Sequence, residues 1–214
     1  MFNIPTGNEI ITKSSQTLQR FPLTFLSSFI LTCIVIYFIE SEVSKMDGLN
    51  LILAKVALSA SLAIFVFTGL KLFTETLQSR WSLLFTLGVF IGLTGYYLTL
   101  PQSSDAFNAT TVLFRHFFLT LLFFVAFLWA PFTRTSLNNE DYWEYAKGML
   151  FAFSTAFSFT VIVVFGVNVA LYAVEKLFDL DIESKLYFEL DIFLIGLFSV
   201  GYFLRRLFSL TDSS

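Results

Sequence analysis

Lys55, Glu189 and Asp191 are ionisable side chains set inside apolar stretches, where a charge is costly and therefore points to work done. Groups of this kind serve proton relays and ion coupling in membrane proteins. A lone ammonium or carboxylate in hydrocarbon tends to lose its charge, so Lys55 is expected to pair with Asp191 or Glu189 if their segments are neighbours. The alternative is structural: Lys55 can snorkel to the interface on its long stem. The two-residue spacing of Glu189 and Asp191 also puts them on different faces of a helix.

Arg115 and His116 open another apolar run, while Asn168, Tyr172 and Glu175 form an i, i+4, i+7 stripe along one helix face. Together with Lys55, Glu189 and Asp191 they can line one outward-facing polar vestibule. The competing use of Asn168 is a hydrogen bond between helices, the commoner role of Asn within a span. His116 is the only histidine and Cys33 the only cysteine, which leaves no bis-histidine haem, no typical zinc shell and no intramolecular disulfide. No cofactor or metal is expected. An enzyme would have to draw its acid/base pair from Glu175, Glu189, Asp191 and His116, and the sequence carries no P-loop, nucleophile elbow or histidine-glutamate zinc motif.

These residues must be positioned by long apolar segments. Phe21 to Ile39, Trp81 to Ser104 and Gly148 to Val174 run without a single charge. A helix needs about 20 such residues to cross hydrocarbon. Expected spans are 22–39, 49–71, 81–100, 112–131, 148–174 and 187–207, preceded by a polar segment (1–21) and followed by a short tail (208–214). The fold class is thus all-α, a transmembrane bundle of about six helices. With 56% apolar and 14% charged residues, the chain lies outside the range of soluble domains. No basic face accompanies its 29 phenylalanines, so nucleic acid is excluded as a partner. Lys13 and Arg20 precede a run too long for a signal peptide, and no small-residue cleavage site follows.

Six crossings place both termini on one side. Lys13, Arg20, Lys71, Arg80, Arg134, Lys147, Arg205 and Arg206 fall on that side, against Lys45, Lys55, Arg115, Lys176 and Lys185 on the other, which predicts cytoplasmic termini. The opposite face collects Glu40, Glu42, Asp47, Asp105, Glu175, Asp179, Asp181, Glu183, Glu189 and Asp191. It is either a solvated rim or a mouth that attracts cations.

Lesser signals complete the pattern. Thr6 and Glu9 have capping-box spacing for a short interfacial helix, and Asn139 can cap a helix that reaches the membrane through Tyr142, Trp143 and Tyr145. Gly88-x-x-x-Gly92, and Ser154 with Ser158, are expected at close helix contacts. Asp179-x-Asp181-x-Glu183 opens like a calcium loop but lacks its glycine and has Lys185 at the backbone-coordinating position. Asn108-Ala-Thr110 is a glycosylation sequon on the expected outer side. Phe85 to Leu98 resembles Phe193 to Leu204, which suggests an inverted repeat between spans three and six.

Tyr142-Trp-Glu-Tyr-Ala-Lys147, the fifth span, Lys176 to Tyr187 and the Gly196 to Arg206 end, with Arg20-Phe-Pro22 before span one, resemble the bacterial family called domain of unknown function 4153. That resemblance implies a multi-pass bacterial inner-membrane protein with no activity to carry over. It also implies a short member, a truncated form or half of a two-part assembly, since similar chains are often longer. The expected function is a non-catalytic membrane subunit or scaffold, in contact with the lipid bilayer and with a membrane-protein partner or a second copy. A small-solute or ion transporter and a membrane-embedded enzyme are the alternatives.

Overall fold

The computed structural model describes residues 15–41, 48–75, 79–103, 107, 110–129 and 139–211. Among the described residues it is helical apart from short connections, with no strand. The long helices are α1 (Pro22–Glu40), α2 (Gly48–Glu75), α3 (Ser79–Thr99), α4 (Thr110–Trp129) and α5 (Asn139–Phe178). A sixth span joins α6 (Ser184–Phe193), a π-helical turn (Leu194–Ser199) and α7 (Val200–Thr211). Six helices are thus long and apolar enough to cross a membrane. Thr6, Glu9, Lys13, Glu42, Lys45, Asp47, Asp105, Asn108 and Arg134 lie outside the described residues, and the side chains of Arg80 and of 139–142 are likewise not described.

Local chemistry sets several helix ends. Pro22 occupies the first turn of α1, where its missing N–H costs nothing. Helix α5 ends with Asp179 in the left-handed region (φ 49°) and Leu180 N–H donating to the Glu175 carbonyl at 3.0 Å, a Schellman closure made without glycine. Asp179 is therefore part of a helix stop. Among the described residues no group of three or more His, Cys, Asp or Glu is placed to hold a metal ion. Helix α5 begins at Asn139, well before the expected span at 148, and α7 runs to Thr211, past the expected end at 207.

Helices α1 and α2 form the central antiparallel pair. On the α2 side, α3 and α4 pack against it; on the α1 side stands the sixth span, with α5 beyond. At the end nearer the termini the two wings meet in one core of Phe21, Leu72, Phe127, Met149, Leu204 and Leu207, to which every span except α3 contributes. Arg20 clamps that end by donating from both Nε and Nη2 to the two Glu75 oxygens, each at 2.7 Å.

The seam between α1 and its neighbours carries hydroxyls. Thr24, Ser28 and Thr32, four residues apart, are all buried. Thr24 Oγ1 meets Thr68 Oγ1 of α2 at 3.2 Å, and Ser28 Oγ donates to the Gly196 carbonyl at 2.5 Å. That carbonyl lies in the π turn, whose widened backbone offers oxygens to partners outside the helix. Gly196 is required there because a Cβ would overlap Thr32 Oγ1.

Two expectations about packing are corrected. Gly88 and Gly92 have nothing within 4 Å of an added Cβ, so this pair does not sit at a helix contact. Helix α3 packs on α2 through bulkier residues, including the Phe67–Phe90 and Phe73–Phe85 ring pairs. Ser154 and Ser158 face outward, and α5 instead buries Ala152, Ala156 and Thr160, another small stripe two residues out of phase. The repeat pairing of Gly88 with Gly196 also joins unlike positions: the first faces open space in a regular helix, the second lies against Thr32 in a π turn.

Replacing Gly196 by Ala is expected to destabilise the bundle by about 1–3 kcal/mol through overpacking. Thr32→Ala in the same chain is expected to recover most of that loss. Thermal unfolding in detergent of the two single variants and the double variant checks the coupling.

Candidate functional site

The sequence-predicted polar residues gather at the end of the bundle away from the termini, in two groups on opposite wings. The first is built on α2, α3 and α4. His116, half-buried on α4, has Nε2 3.0 Å from Ser61 Oγ of α2 and Nδ1 2.8 Å from the Tyr96 hydroxyl of α3. Ser61 Oγ also donates to the Leu58 carbonyl at 2.9 Å. The tautomer that satisfies every donor has Nε2–H donating to Ser61 and Tyr96 O–H donating to Nδ1. In that arrangement the Ser61 proton is held by its own helix and the imidazole is a donor to it. This is the reverse of the polarity a serine nucleophile needs.

The Tyr96 ring held by His116 lies 5.9 Å from the Arg115 guanidinium, and Arg115 donates to Thr99 Oγ1 at 2.5 Å. Lys55 is buried and stands 5.7 Å from the ring of Tyr97, the next residue along α3. Consecutive helix residues point about 100° apart, so the two cations occupy different sides of α3. Neither Lys55 nor Arg115 forms an ion pair with any described residue. The expected pairing of Lys55 with Asp191 or Glu189 is therefore not made, because Lys55 belongs to the α2–α3 side while both carboxylates belong to the sixth span.

The second group is built on α5, α6 and the end of α1. Asn168 Nδ2 donates to Asp191 Oδ1 at 2.6 Å and to its own-helix Val164 carbonyl at 2.9 Å. Glu175 accepts from the Tyr187 hydroxyl at 2.8 Å and from Lys176 at 3.0 Å. Glu189 turns the other way, toward Glu40, and its Oε1 has no hydrogen-bond partner among the described residues. The expectation that Glu189 and Asp191 occupy different faces thus matches the structure. Tyr172 is exposed beside Lys176 and does not join Asn168 and Glu175 on the packed face.

The single vestibule expected from these residues is thus two separate constellations. One is cationic and aromatic, the other mainly acidic, with Asn168, Tyr187 and Lys176 as partners of its carboxylates. Sequence reasoning missed Ser61, Tyr96, Thr99 and the Thr24/Ser28/Thr32 seam. The last was readable as hydroxyl residues at four-residue spacing, whereas Ser61 and Tyr96 carry no local signal. Tyr145, expected at headgroup level, is instead packed against the apolar core, while Trp143 faces outward with Lys147 5.2 Å from its ring.

The cavities are mainly apolar. One is a groove of about 620 Å³ on the surface of α2 between α3 and α4, reaching from Trp81 to Thr99 and Arg115. A smaller one of about 110 Å³ lies where the wings meet, lined by Thr24, Thr68 and Phe side chains of α2, α4, α5 and α7. Comparison with protein-family models, curated proteins and solved structures gives no match for the chain.

Asn168→Leu removes the donor that Asp191 uses and leaves a carboxylate uncompensated, which is expected to destabilise by about 1–3 kcal/mol. The Asn168→Leu/Asp191→Leu double variant is expected to be more stable than Asn168→Leu alone. Unfolding midpoints in the same detergent measure the difference.

Proposed function

We propose that this chain is a non-catalytic membrane subunit or scaffold. The observation that carries this reading is the use made of the polar side chains inside the spans. Asn168 with Asp191, Glu175 with Tyr187, and His116 with Ser61 and Tyr96 tie neighbouring helices together rather than facing a common cavity. Such ties fix helix order and register in a solvent where unpaired polar groups are costly. Catalysis has no positive support, since the tautomer that satisfies every donor gives the Ser61–His116 contact the wrong polarity for a nucleophile. The outward faces of α3, α4 and α5 present large apolar side chains, including Ile91, Phe118 and Phe157, to lipid or to a neighbouring membrane protein.

We place the chain in a bacterial cytoplasmic membrane with both termini inside, a reading supported by the basic residues Arg20, Lys71, Lys147, Arg205 and Arg206 at the terminal end. The resemblance to the family called domain of unknown function 4153 agrees with that location.

A subunit or scaffold is expected to copurify with a stoichiometric protein partner in mild detergent. Substitution of outward-facing residues on α3 or α5 is expected to release that partner while the bundle stays folded. Proteoliposomes carrying Lys55→Met or Asp191→Asn separate this reading from transport. A solute flux present in the wild type and abolished in both folded variants would replace the subunit reading with a transporter.

A further inference from the structure

We propose that the groove between α3 and α4 is a binding site for an anionic phospholipid, with the phosphate on Arg115 and one acyl chain laid along α3. This goes beyond the subunit reading and stands on separate observations. The first is shape. Gly92 and Gly88 lie seven and eleven residues before Thr99 along α3, or about 10 and 16 Å down the helix. The groove continues past them to Trp81, and its stretch between Arg115 and Gly88 matches one leaflet, half of a hydrocarbon core about 30 Å thick. Both glycines line the groove, and neither would meet another atom with an added Cβ, so the trough is kept open by the missing side chains themselves. The walls along that depth are Leu62, Leu93 and Leu119, which suit methylene groups.

The second observation is charge. Arg115 lines the end of this trough, is exposed, and forms no ion pair with any described residue. Its donation to Thr99 uses Nη2, which leaves further guanidinium N–H groups for phosphate oxygens. The position is also prepared. His116 holds Tyr96, and the Tyr96 ring supports the guanidinium, so the cation is oriented before any ligand arrives.

The same charge argues against a second copy as the occupant. A two-fold contact through this groove would bring Arg115 of each copy to the same depth and near its equivalent, with no acid among the groove's described lining residues to stand between them. A zwitterionic lipid brings a compensating ammonium into the headgroup, so a guanidinium with no ion pair among the described residues favours a lipid with net negative charge.

The test is native mass spectrometry of the purified protein incubated with phosphatidylglycerol or phosphatidylcholine, alongside thermal unfolding with each lipid. Wild type is expected to retain phosphatidylglycerol in preference and to gain more thermal stability from it. Arg115→Gln is expected to weaken phosphatidylglycerol retention by about tenfold, the loss of a charge-assisted hydrogen bond. Arg115→Lys is expected to keep part of it. Gly92→Leu, which fills the trough without touching the cation, is expected to lower retention of both lipids, and unfolding of the lipid-free variants identifies any that fail to fold. Equal retention of the two lipids by wild type overturns the proposal. So does unchanged retention in folded Arg115→Gln, or a dimer that Gly92→Leu dissociates.

Discussion

The close approach of α1 to the π turn of the sixth span is the contact on which the arrangement of the bundle depends. Lipid supplies no hydrophobic force between helices, so association rests on packing and on hydrogen bonds between them. Thr24, Ser28 and Thr32 provide both at once, being small enough for close approach and polar enough to bind Thr68 and the Gly196 carbonyl. Thr32 further returns its own hydroxyl to the Ser28 carbonyl, so no polar atom on this seam is left to hydrocarbon. With α1 held on both sides, α2 carries α3 and α4 on one wing and the sixth span carries α5 on the other.

Packing is concentrated toward the terminal end, where the Phe21–Leu207 core and the Arg20–Glu75 clamp join the wings. The opposite end is organised differently. There, polar ties operate within each wing: Ser61–His116–Tyr96 on one, Asn168–Asp191 and Glu175–Tyr187 on the other. The result is an uneven distribution of charge, with Lys55 and Arg115 against aromatic rings on one wing, and Glu175 with its Lys176 partner, Glu189 and Asp191 on the other beside Glu40 of α1. A net count of charges at that end conceals this division.

Glycine shows how a residue pattern takes its meaning from its surroundings. Gly196 is needed for contact, since any side chain there meets Thr32, while Gly88 and Gly92 face open space along a groove. A small-residue motif in a span marks a place where side-chain volume is withheld. Whether a helix, a lipid chain or nothing occupies the vacated volume depends on which neighbour stands opposite.

The amino-acid sequence by itself determined the solvent, the helical class, the six spans and their alternation. These follow from local chemistry: uncharged runs long enough to cross hydrocarbon force the backbone to satisfy its own hydrogen bonds. It also marked Asn168, His116 and Asp191 as polar groups needing partners. Which partners they took was decided only by the tertiary structure, because Asn168–Asp191 and His116–Ser61 join residues far apart in the chain through helices whose order no local pattern encodes. The same holds for Lys55, whose ammonium ends beside Tyr97 because α2 pairs with α3 and not with the sixth span. Helix order is a property of all the faces packed together, and a polar group finds its partner only after that order is set.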